Sequence, residues 1–343
     1  MKQGALEGIP IGDTVGILGA PDTLPEANHL DGTGWAACAT PDATSVRLGG
    51  DRLREAPDVG GIVVSNDGET YVIAGSTSYR IPEQERTAVL RAIGLDTAVP
   101  AEVRGEWLAL FERGTDLRPL AFDGSGTVDG VDLPAGSVIR PTGGGDDERY
   151  LLTADGSLAR LSGLAYRLYL LGGGSGSLGE EVEISPSQIG ALPTADAAGA
   201  ADWPQRTLAP VAATTPCATL SGSADDQRTV LADAGQDAST GADDDDAARP
   251  SDDASGSGAA AGSTVVTVAE DGGALVRGGS AGALTLIDGS GTAYAVPGEV
   301  TTGVARLGFA EADVAVVPAA WIQLLPAGPA LTQEAASASP TAS

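Results

Sequence analysis

Apolar and polar residues alternate along two stretches of the chain, residues 63–73 and 284–296. Each stretch is interrupted by an Asp-Gly pair, which begins at Asp67 in the first stretch and at Asp288 in the second. Alternation with a period of two is typical of a half-buried strand, and Asp-Gly is a preferred pair for the tight turn of a hairpin. The pattern therefore predicts two β-hairpins far apart in the sequence.

Two short helices are predicted after the first hairpin. Apolar residues spaced three and four positions apart indicate a helix with one buried face, and a following glycine ends the helix in the left-handed conformation. The first helix ends at Gly94, and the second, which carries Trp107, ends at Gly114. Neither helix can bury its apolar face without a neighbouring unit. Their apolar positions are Ala88, Val89, Ala92 and Ile93, then Val103, Trp107, Leu108 and Phe111.

These landmarks recur 214 positions later, which identifies a repeated unit. In the later copy, Pro318 suits the first turn of a helix that carries Trp321. A third, weaker copy lies between the two, with a hairpin at residues 150–158 and a capping box that begins at Ser185. We expect the repeated tryptophans and glycines to form the cores of the units. The repeated positions are Gly94 and Gly308, Trp107 and Trp321, Gly114 and Gly328, and Leu117 and Leu331, with Tyr79 and Tyr294 offset by one residue.

The repeats alternate with two stretches that lack them, residues 13–60 and 195–280. Each of these contains one cysteine and one tryptophan, and we predict that they form one discontinuous central domain. Residues 223–263 are rich in Asp, Ala, Gly and Ser, a composition that cannot bury a core, and are predicted to be a disordered acidic insertion in that domain. The fold class is mostly β with short helices, α+β. The other units are a remnant of a first repeat at 1–12, repeats at 61–118, 119–194 and 281–331, and a disordered tail at 332–343.

The charge and composition of the chain exclude several classes of function. Its 343 residues include 47 acidic and 19 basic ones, a formal net charge of −28. This excludes nonspecific binding to nucleic acid or anionic lipid, because both need a basic surface. Lys2 is the only lysine and His29 the only histidine, which excludes a standard P-loop and a histidine cluster. No signal peptide and no run of about 18 apolar residues is present, so we expect any membrane anchor to lie outside this sequence.

Cys38 and Cys217 are the only cysteines and lie 179 positions apart. Their spacing fits no metal-binding motif, and the residues around Cys38 lack the basic groups that would activate a catalytic thiol. Two inert buried thiols and one long-range disulfide are the remaining interpretations. A disulfide would imply an oxidising, extracytoplasmic compartment.

Other motif matches lack the structural context that their chemistry needs. Residues 278–282 fit Gly-x-Ser-x-Gly, but a nucleophile elbow needs a histidine later in the chain, and His29 precedes it. Residues 174–179 fit Gly-x-Gly-x-x-Gly, but they follow a predicted helix instead of a strand. The acidic run at 243–246 does not match the spacing of an EF-hand. We therefore predict no catalytic, cofactor-binding or metal-binding residue.

Short motifs spread along the chain carry a family resemblance. They are residues 12–21, Trp35-x-x-Cys38, residues 184–186 and 191–194, Asp202-Trp203-Pro204, Pro216-Cys217-Ala218, and residues 317–321 and 325–331. In this order, from about residue 4 to residue 331, the sequence resembles the extracytoplasmic domain of the EccB family, membrane subunits of type VII (ESX) secretion systems.

The resemblance implies a periplasmic domain attached to a single helix in the cell inner membrane. It implies a central core with four repeats in a quasi-twofold arrangement, held by a disulfide between Cys38 and Cys217. It also implies dimer formation, assembly with the EccC, EccD and EccE subunits, and association with the mycosin protease. Members of the family are sometimes labelled ATPases.

We therefore expect a non-catalytic scaffold subunit of a complex that exports proteins across the inner membrane of an actinobacterium, without a cofactor. Two alternatives stay open. One is binding to cell-wall peptidoglycan through the Trp107 and Trp321 repeats, and the other is ATP hydrolysis, which rests on the family label alone.

Overall fold

Short strands predominate in the structure, a computed structural model, and the helices are few and short. The predicted class, mostly β with short helices, is confirmed. The structure describes residues 16–21, 23–40, 43–122, 127–128, 133–145, 148–174, 181–211, 215–233 and 264–337. The predicted remnant of a first repeat at 1–12 and the acidic run at 243–246 lie outside these residues.

A five-stranded sheet, here called the central sheet, combines two stretches of the chain that are far apart in sequence. Neighbouring strands are antiparallel except for the last pair, which is parallel. In order across the sheet, the strands are Asp226–Leu231, Cys217–Ser223, Ala36–Ala39, Thr44–Leu48 and Thr264–Val268.

Three lobes share one order of elements, and we call them the first lobe (residues 60–117), the middle lobe (138–195) and the last lobe (274–331). Each begins with three antiparallel strands and a helix. A short strand then runs parallel to the first of the three strands. After a second short helix, the chain pairs in parallel with the third strand.

The strands of the first lobe are Gly60–Asn66, Glu69–Ala74, Thr77–Ile81, Ala101–Glu102 and Glu112–Arg113, with Ala209–Pro210 added beside Gly60–Asn66. Those of the middle lobe are Val138–Pro141, Arg149–Leu152, Leu158–Leu161, Val182–Ile184 and Thr194–Ala195. Those of the last lobe are Ala274–Gly278, Leu284–Ile287, Ala293–Val296 and Ala315–Val317. Thr127–Val128 and Leu133–Pro134 form a separate two-stranded ribbon.

Each lobe has a first and a second helix. They are Arg86–Ile93 and Gly105–Leu108 in the first lobe, Gly163–Tyr169 and Pro186–Ile189 in the middle lobe, and Val300–Leu307 and Ala319–Gln323 in the last lobe. Further helical segments are Ala27–His29, Glu83–Glu85, Leu170–Gly174, Glu311–Asp313 and Gln333–Ser337. None of the helices among the described residues combines the length and apolar character that crossing a membrane requires.

The two predicted hairpins differ in their turns. In the first lobe, Asp67 and Gly68 form the turn with φ of 50° and 80°, the positive values that a type I′ turn requires. In the last lobe, strand pairing stops at Ile287 and Ala293, so the connection is longer than the predicted Asp-Gly turn. Here the carboxylate of Asp288 accepts hydrogen bonds from two backbone N–H groups of the loop. The side chain therefore stabilises a loop that the dipeptide alone does not explain.

Two hydrophobic clusters hold the main parts together. The first joins the central sheet to the first and last lobes and contains Trp35, Trp107 and Trp321. The second joins the first and middle lobes, where Trp203 lies among apolar side chains of both first helices. The middle and last lobes also bury apolar residues of their own strands in separate clusters, so these two lobes have local packing of their own.

The predicted acidic insertion at 223–263 begins too early. Asp226–Leu231 is an edge strand of the central sheet, with Gln227 and Thr229 buried and Arg228 exposed. A composition-based prediction averages over such alternation and therefore misses the strand. Residues 234–263 lie outside the described part of the chain.

Two further predicted boundaries are corrected. Ala274–Gly278, assigned to the central domain at 195–280, belongs to the sheet of the last lobe. In the predicted disordered tail at 332–343, Gln333–Ser337 forms a helical turn, because the Thr332 hydroxyl accepts a hydrogen bond from the Ala335 N–H at 3.0 Å. Neither feature has a strong local signal in the sequence.

Candidate functional site: a central sheet locked by tryptophans

Trp107 attaches the first lobe to the central sheet. It lies on the second helix of that lobe, Gly105–Leu108, and its side chain is fully buried. The indole Nε1 donates a hydrogen bond to the backbone oxygen of Ala37, on a central strand, at 2.8 Å. The indole ring packs against Phe111, with ring centroids 5.1 Å apart. One side chain therefore supplies both apolar contact and a polar link between the two units.

Trp321 attaches the last lobe in the same way. It is fully buried on the second helix, Ala319–Gln323, and its Nε1 donates to the Thr229 hydroxyl of the central sheet at 2.8 Å. Its ring meets that of Trp35 edge-on, with the centroids 6.3 Å apart. The repeated tryptophans therefore meet in one core, and neither is exposed as a platform for a ligand.

Gly114 and Gly328 are needed because a tyrosine ring lies against each of them. A Cβ atom at Gly114 would lie 2.6 Å from Cε1 of Tyr79, and one at Gly328 would lie 2.3 Å from Cε1 of Tyr294. Such distances are shorter than van der Waals contact, so any larger residue would displace the ring. The repeated Tyr and Gly positions of the sequence are thus a contact pair in each docked lobe.

Gly94 and Gly308 end the first helices of the same two lobes. Both have φ of 85°, the left-handed conformation that an L-residue with a side chain rarely adopts. Their N–H groups bond back to carbonyls of the last helical turn. The chain can therefore turn sharply toward the short strand that follows.

A disulfide joins two neighbouring strands of the central sheet. Cys38 and Cys217 lie directly opposite each other on antiparallel strands, with their Sγ atoms 2.09 Å apart. They belong to a small cluster with Leu53 and Ala232, separate from the cluster that contains the tryptophans. Because adjacent residues of a strand point to opposite faces, the disulfide and Ala37 lie on opposite faces of the sheet. The disulfide thus links the strand that receives Trp107 to its neighbour Cys217–Ser223, which in turn pairs with the strand that carries Thr229, the partner of Trp321.

The middle lobe contains a half-buried charged network that sequence reasoning missed. Arg149 Nε donates to Glu181 Oε1 at 2.9 Å, and Arg140 lies 3.4 Å from the other oxygen. Burial would raise the pKa of Glu181, but hydrogen bonds from Tyr166 and Arg149 outweigh it and hold that pKa below its ordinary value. Burial, together with the bond to Glu181, raises the pKa of Tyr166 to about 12. These residues are far apart in sequence, so no local pattern indicates the network.

A cleft of about 690 Å³ lies between the second helices of the first and last lobes. Its polar wall includes Asp67, Glu102, Arg104 and Glu106, of which Arg104 and Glu106 form an ion pair at 3.2 Å. Within the described ranges, no group of three His, Cys, Asp or Glu side chains is arranged to hold a metal ion. The cleft offers charge and hydrogen bonds but no paired nucleophile and base.

The motif matches are explained by local structure. The Gly-x-Ser-x-Gly at 278–282 is a strand end and a turn, in which an Arg277 guanidinium N–H donates to the Ser280 carbonyl. The glycines that begin at Gly174 follow helical residues, and those at 176 and 179 lie outside the described part. His29 ends an exposed helical turn.

Comparison with known proteins identifies the family. A family model described as "Type VII secretion system ESX-1, transport TM domain B" (EccB) matches residues 1–342. The chain belongs to the EccB family of type VII secretion systems, which confirms the resemblance found in the sequence. The "ESX-2 secretion system ATPase EccB2" of Mycobacterium tuberculosis is 34% identical over 176 residues, 46% of this chain and 34% of that protein. The aligned part is about a third of the length of that relative.

Solved structures share the fold. The periplasmic assembly of an ESX-5 inner membrane complex contains a chain that matches with a TM-score of 0.65 and 20% identity, covering 99% of this chain and 86% of that one. An EccB3 dimer from an ESX-3 core complex matches with a TM-score of 0.71 and 19% identity, covering 96% and 87%. The arrangement of small sheets and short helices is therefore that of known EccB structures.

Proposed function

We propose that this chain is a non-catalytic, periplasmic scaffold of a type VII secretion complex in the inner membrane. The observation that carries the proposal is the pair of buried tryptophans, Trp107 and Trp321, which fix two lobes to one disulfide-linked sheet in a chain of the EccB family. A body held in this way keeps the surfaces of its lobes in a constant relation to one another. That property suits a subunit that positions others.

The proposed partners are a second copy of the protein, the EccC, EccD and EccE subunits, and the mycosin protease. A solved relative of the same fold is described as a dimer, and another is part of an inner membrane complex. The disulfide supports a place on the oxidising side of the membrane.

Co-purification tests the scaffold role. The tagged full-length protein is isolated from detergent-solubilised membranes of its native host, and its partners are identified by mass spectrometry. We expect secretion subunits with the wild type and with Val99→Lys, a control at a side chain 85% exposed. Trp321→Ala, which loosens the last lobe, should lose partners while the protein is still present in the membrane. Wild-type protein that purifies without any secretion subunit would contradict the proposal.

The two other functions have less support. Peptidoglycan binding through stacking on Trp107 and Trp321 conflicts with their complete burial, so any such binding would use other surfaces. A relative is named an ATPase, but this chain has no lysine after Lys2 to hold phosphates in a P-loop. We expect no retention on purified peptidoglycan and no ATP turnover that disappears with a single substitution.

A further inference from the structure

A groove of about 350 Å³ lies between the first helices of the first and middle lobes, and we call it the interhelical groove. Each wall is one face of a helix, because the residues that form it are spaced at i, i+3 and i+4. The lining residues are Ala88, Arg91 and Ala92 of the first lobe, and Arg167, Leu170 and Leu171 of the middle lobe. The groove therefore has the shape into which the side chains of a third helix pack.

The groove is apolar between its walls. Ala92 and Leu171 are half-buried and pack against the hydrophobic cluster that joins the two lobes. Ala88, one turn earlier on the same wall as Ala92, is also half-buried, and its small side chain leaves room opposite the leucines. A partner that inserts an apolar side chain here would bury hydrophobic surface on both sides.

Two arginines border this apolar groove. Arg91 and Arg167 are exposed, each in the last turn of its helix, and neither forms an ion pair or a side-chain hydrogen bond within the described part of the chain. Positive charge stabilises the last turn of a helix, but this does not require both guanidinium groups to lie at one groove. The residue 214 positions after Arg91 is Ala305, so the repeated unit does not require an arginine there. In a chain with 47 acidic and 19 basic residues, the groove is a local reversal of charge.

The chain leaves the groove directly after Leu171. Gly172 lies so close to the Leu120 carbonyl that a Cβ atom would overlap it, and Leu120 is not among the residues that line the groove. Residues 172–177 are all Gly or Ser, so this stretch brings no apolar side chain to the groove. The apolar surface is therefore available to another molecule.

We propose that the interhelical groove binds an amphipathic helix of a partner protein, which places apolar side chains in the groove and carboxylates beside Arg91 and Arg167. The proposal rests on the scaffold function and deepens it, because it assigns one docking surface and the chemistry of the partner. A helix presents apolar side chains at the same i, i+3 and i+4 spacing as the walls. Carboxylates match the planar guanidinium group, whereas a basic helix would be repelled by it.

The charge of the whole chain favours a protein helix over a lipid surface. Binding to an anionic bilayer needs a broad basic surface, and this chain has a net charge of −28. A helix needs only a carboxylate for each of Arg91 and Arg167, so it can use the local reversal of charge at the groove.

Charge reversal tests the two arginines. The probe is a fluorescein-labelled peptide with leucines along one helical face and glutamates beside them, and fluorescence anisotropy measures its binding to the folded chain. Arg91→Glu/Arg167→Glu should weaken binding about tenfold, since two ion pairs are replaced by repulsion. The matched control is Arg306→Glu, at an exposed arginine in the last turn of the last lobe's first helix, and it should bind like the wild type. Wild-type protein that does not bind the probe, or equal weakening by both variants, overturns the proposal.

Filling the groove tests its apolar part without changing charge. Ala88→Leu should weaken binding of the same probe about tenfold, because the added side chain occupies the space between the helices. Ala305→Leu, at an exposed alanine of the last lobe, is the control and should have no effect. Equal binding by the two variants contradicts the groove as the contact surface.

Two further probes test the partner's chemistry. A peptide with glutamine in place of every glutamate should bind the wild type about tenfold more weakly, and should not distinguish it from Arg91→Glu/Arg167→Glu. Phosphatidylglycerol vesicles should not bind either protein. Vesicles that bind the wild type through the two arginines, when the peptide does not, would show a lipid site and overturn the proposal.

Co-purification of full-length proteins from the native host separates this proposal from the scaffold function. Arg91→Glu/Arg167→Glu should lose at least one subunit that the wild type and Arg306→Glu retain. If all three proteins retain the same subunits, the docking proposal fails and the scaffold role stands. If the wild type purifies without any secretion subunit, the scaffold role fails, while peptide binding that depends on both arginines still supports the groove.

Discussion

The last and middle lobes have the same order of strands and helices but are held in different ways. In the last lobe, the second helix carries Trp321, which is buried against the central sheet. In the middle lobe, the second helix, Pro186–Ile189, has no buried residue, and the first helix, Gly163–Tyr169, packs against the first helix of the first lobe instead. Topology alone therefore does not decide how a lobe is attached. A single large side chain on the second helix decides whether the lobe attaches to the central sheet.

The largest loss of stability is expected when the disulfide of the central sheet, the sheet to which the first and last lobes attach, is removed. Replacing both disulfide cysteines, Cys38→Ala/Cys217→Ala, should lower the free energy of unfolding by up to about 5 kcal/mol, because the bond spans 179 positions and restricts the unfolded chain. Urea unfolding measures the change. In hydrogen exchange, the central sheet should lose protection before the paired first helices of the first and middle lobes.

Reduced wild-type protein is the control for this variant. It should unfold at the same urea concentration as the double variant, since both lack only the cross-link. If the central sheet and the paired helices lose protection equally, the disulfide does not stabilise the central sheet more than the rest of the protein.

Substitution of Trp321 tests the comparison of the last and middle lobes directly. Trp321→Ala should destabilise the protein by about 4 kcal/mol, as expected for a fully buried tryptophan. Ile189→Ala, at the end of the middle lobe's second helix, should cost about 1 kcal/mol because that side chain is only half-buried. Urea midpoints give both values, and Trp321→Phe, which keeps an aromatic ring, should lie between them. Equal losses for Trp321→Ala and Ile189→Ala would contradict the idea that the tryptophan decides the attachment.

Replacing a glycine of the last lobe with alanine should destabilise the protein by an amount that depends on the atoms around that glycine. Gly328→Ala places a Cβ 2.3 Å from Tyr294 Cε1 and should cost about 2 kcal/mol through overpacking. Gly308→Ala meets no atom within 4 Å, so its cost of about 1 kcal/mol comes from the backbone conformation alone. Tyr294→Val should relieve the first substitution and not the second. A double-mutant cycle without coupling between positions 328 and 294 would contradict the ring contact.

Sequence patterns predict local features such as the Asp67 turn and the helix end at Gly94, but they do not predict which residues attach a lobe to the central sheet. The turn at Asp67 and the helix end at Gly94 follow from backbone preferences that act within a few residues. The bond from Trp107 to the Ala37 carbonyl joins residues 70 positions apart, so spacing can mark the tryptophan as repeated but cannot indicate its partner. The edge strand Asp226–Leu231 was hidden for a related reason, because acidic residues around it dominate the local composition.

A smaller effect than that of Trp321→Ala or Gly328→Ala concerns the charges of the middle lobe. Glu181→Gln should destabilise the protein by about 1.5 kcal/mol, because the side chain of Glu181 is only 21% exposed and loses charged hydrogen bonds to Arg149. The folded-state pKa of Glu181 is lowered, so its contribution is complete above the unfolded value of about 4.3 and disappears as the pH falls through the lower folded value. The wild type and Glu181→Gln should therefore converge in stability at acid pH.

Glu69→Gln in the first lobe is the matched control. A hydrogen bond from Arg80 also lowers the pKa of Glu69, but that carboxylate lies at the exposed surface, where solvent screens the pair. Urea unfolding across a pH series should show little difference between Glu69→Gln and the wild type at any pH. If Glu69→Gln instead matches Glu181→Gln in size and pH dependence, the middle lobe owes nothing special to its half-buried network, and the paired first helices alone must hold it.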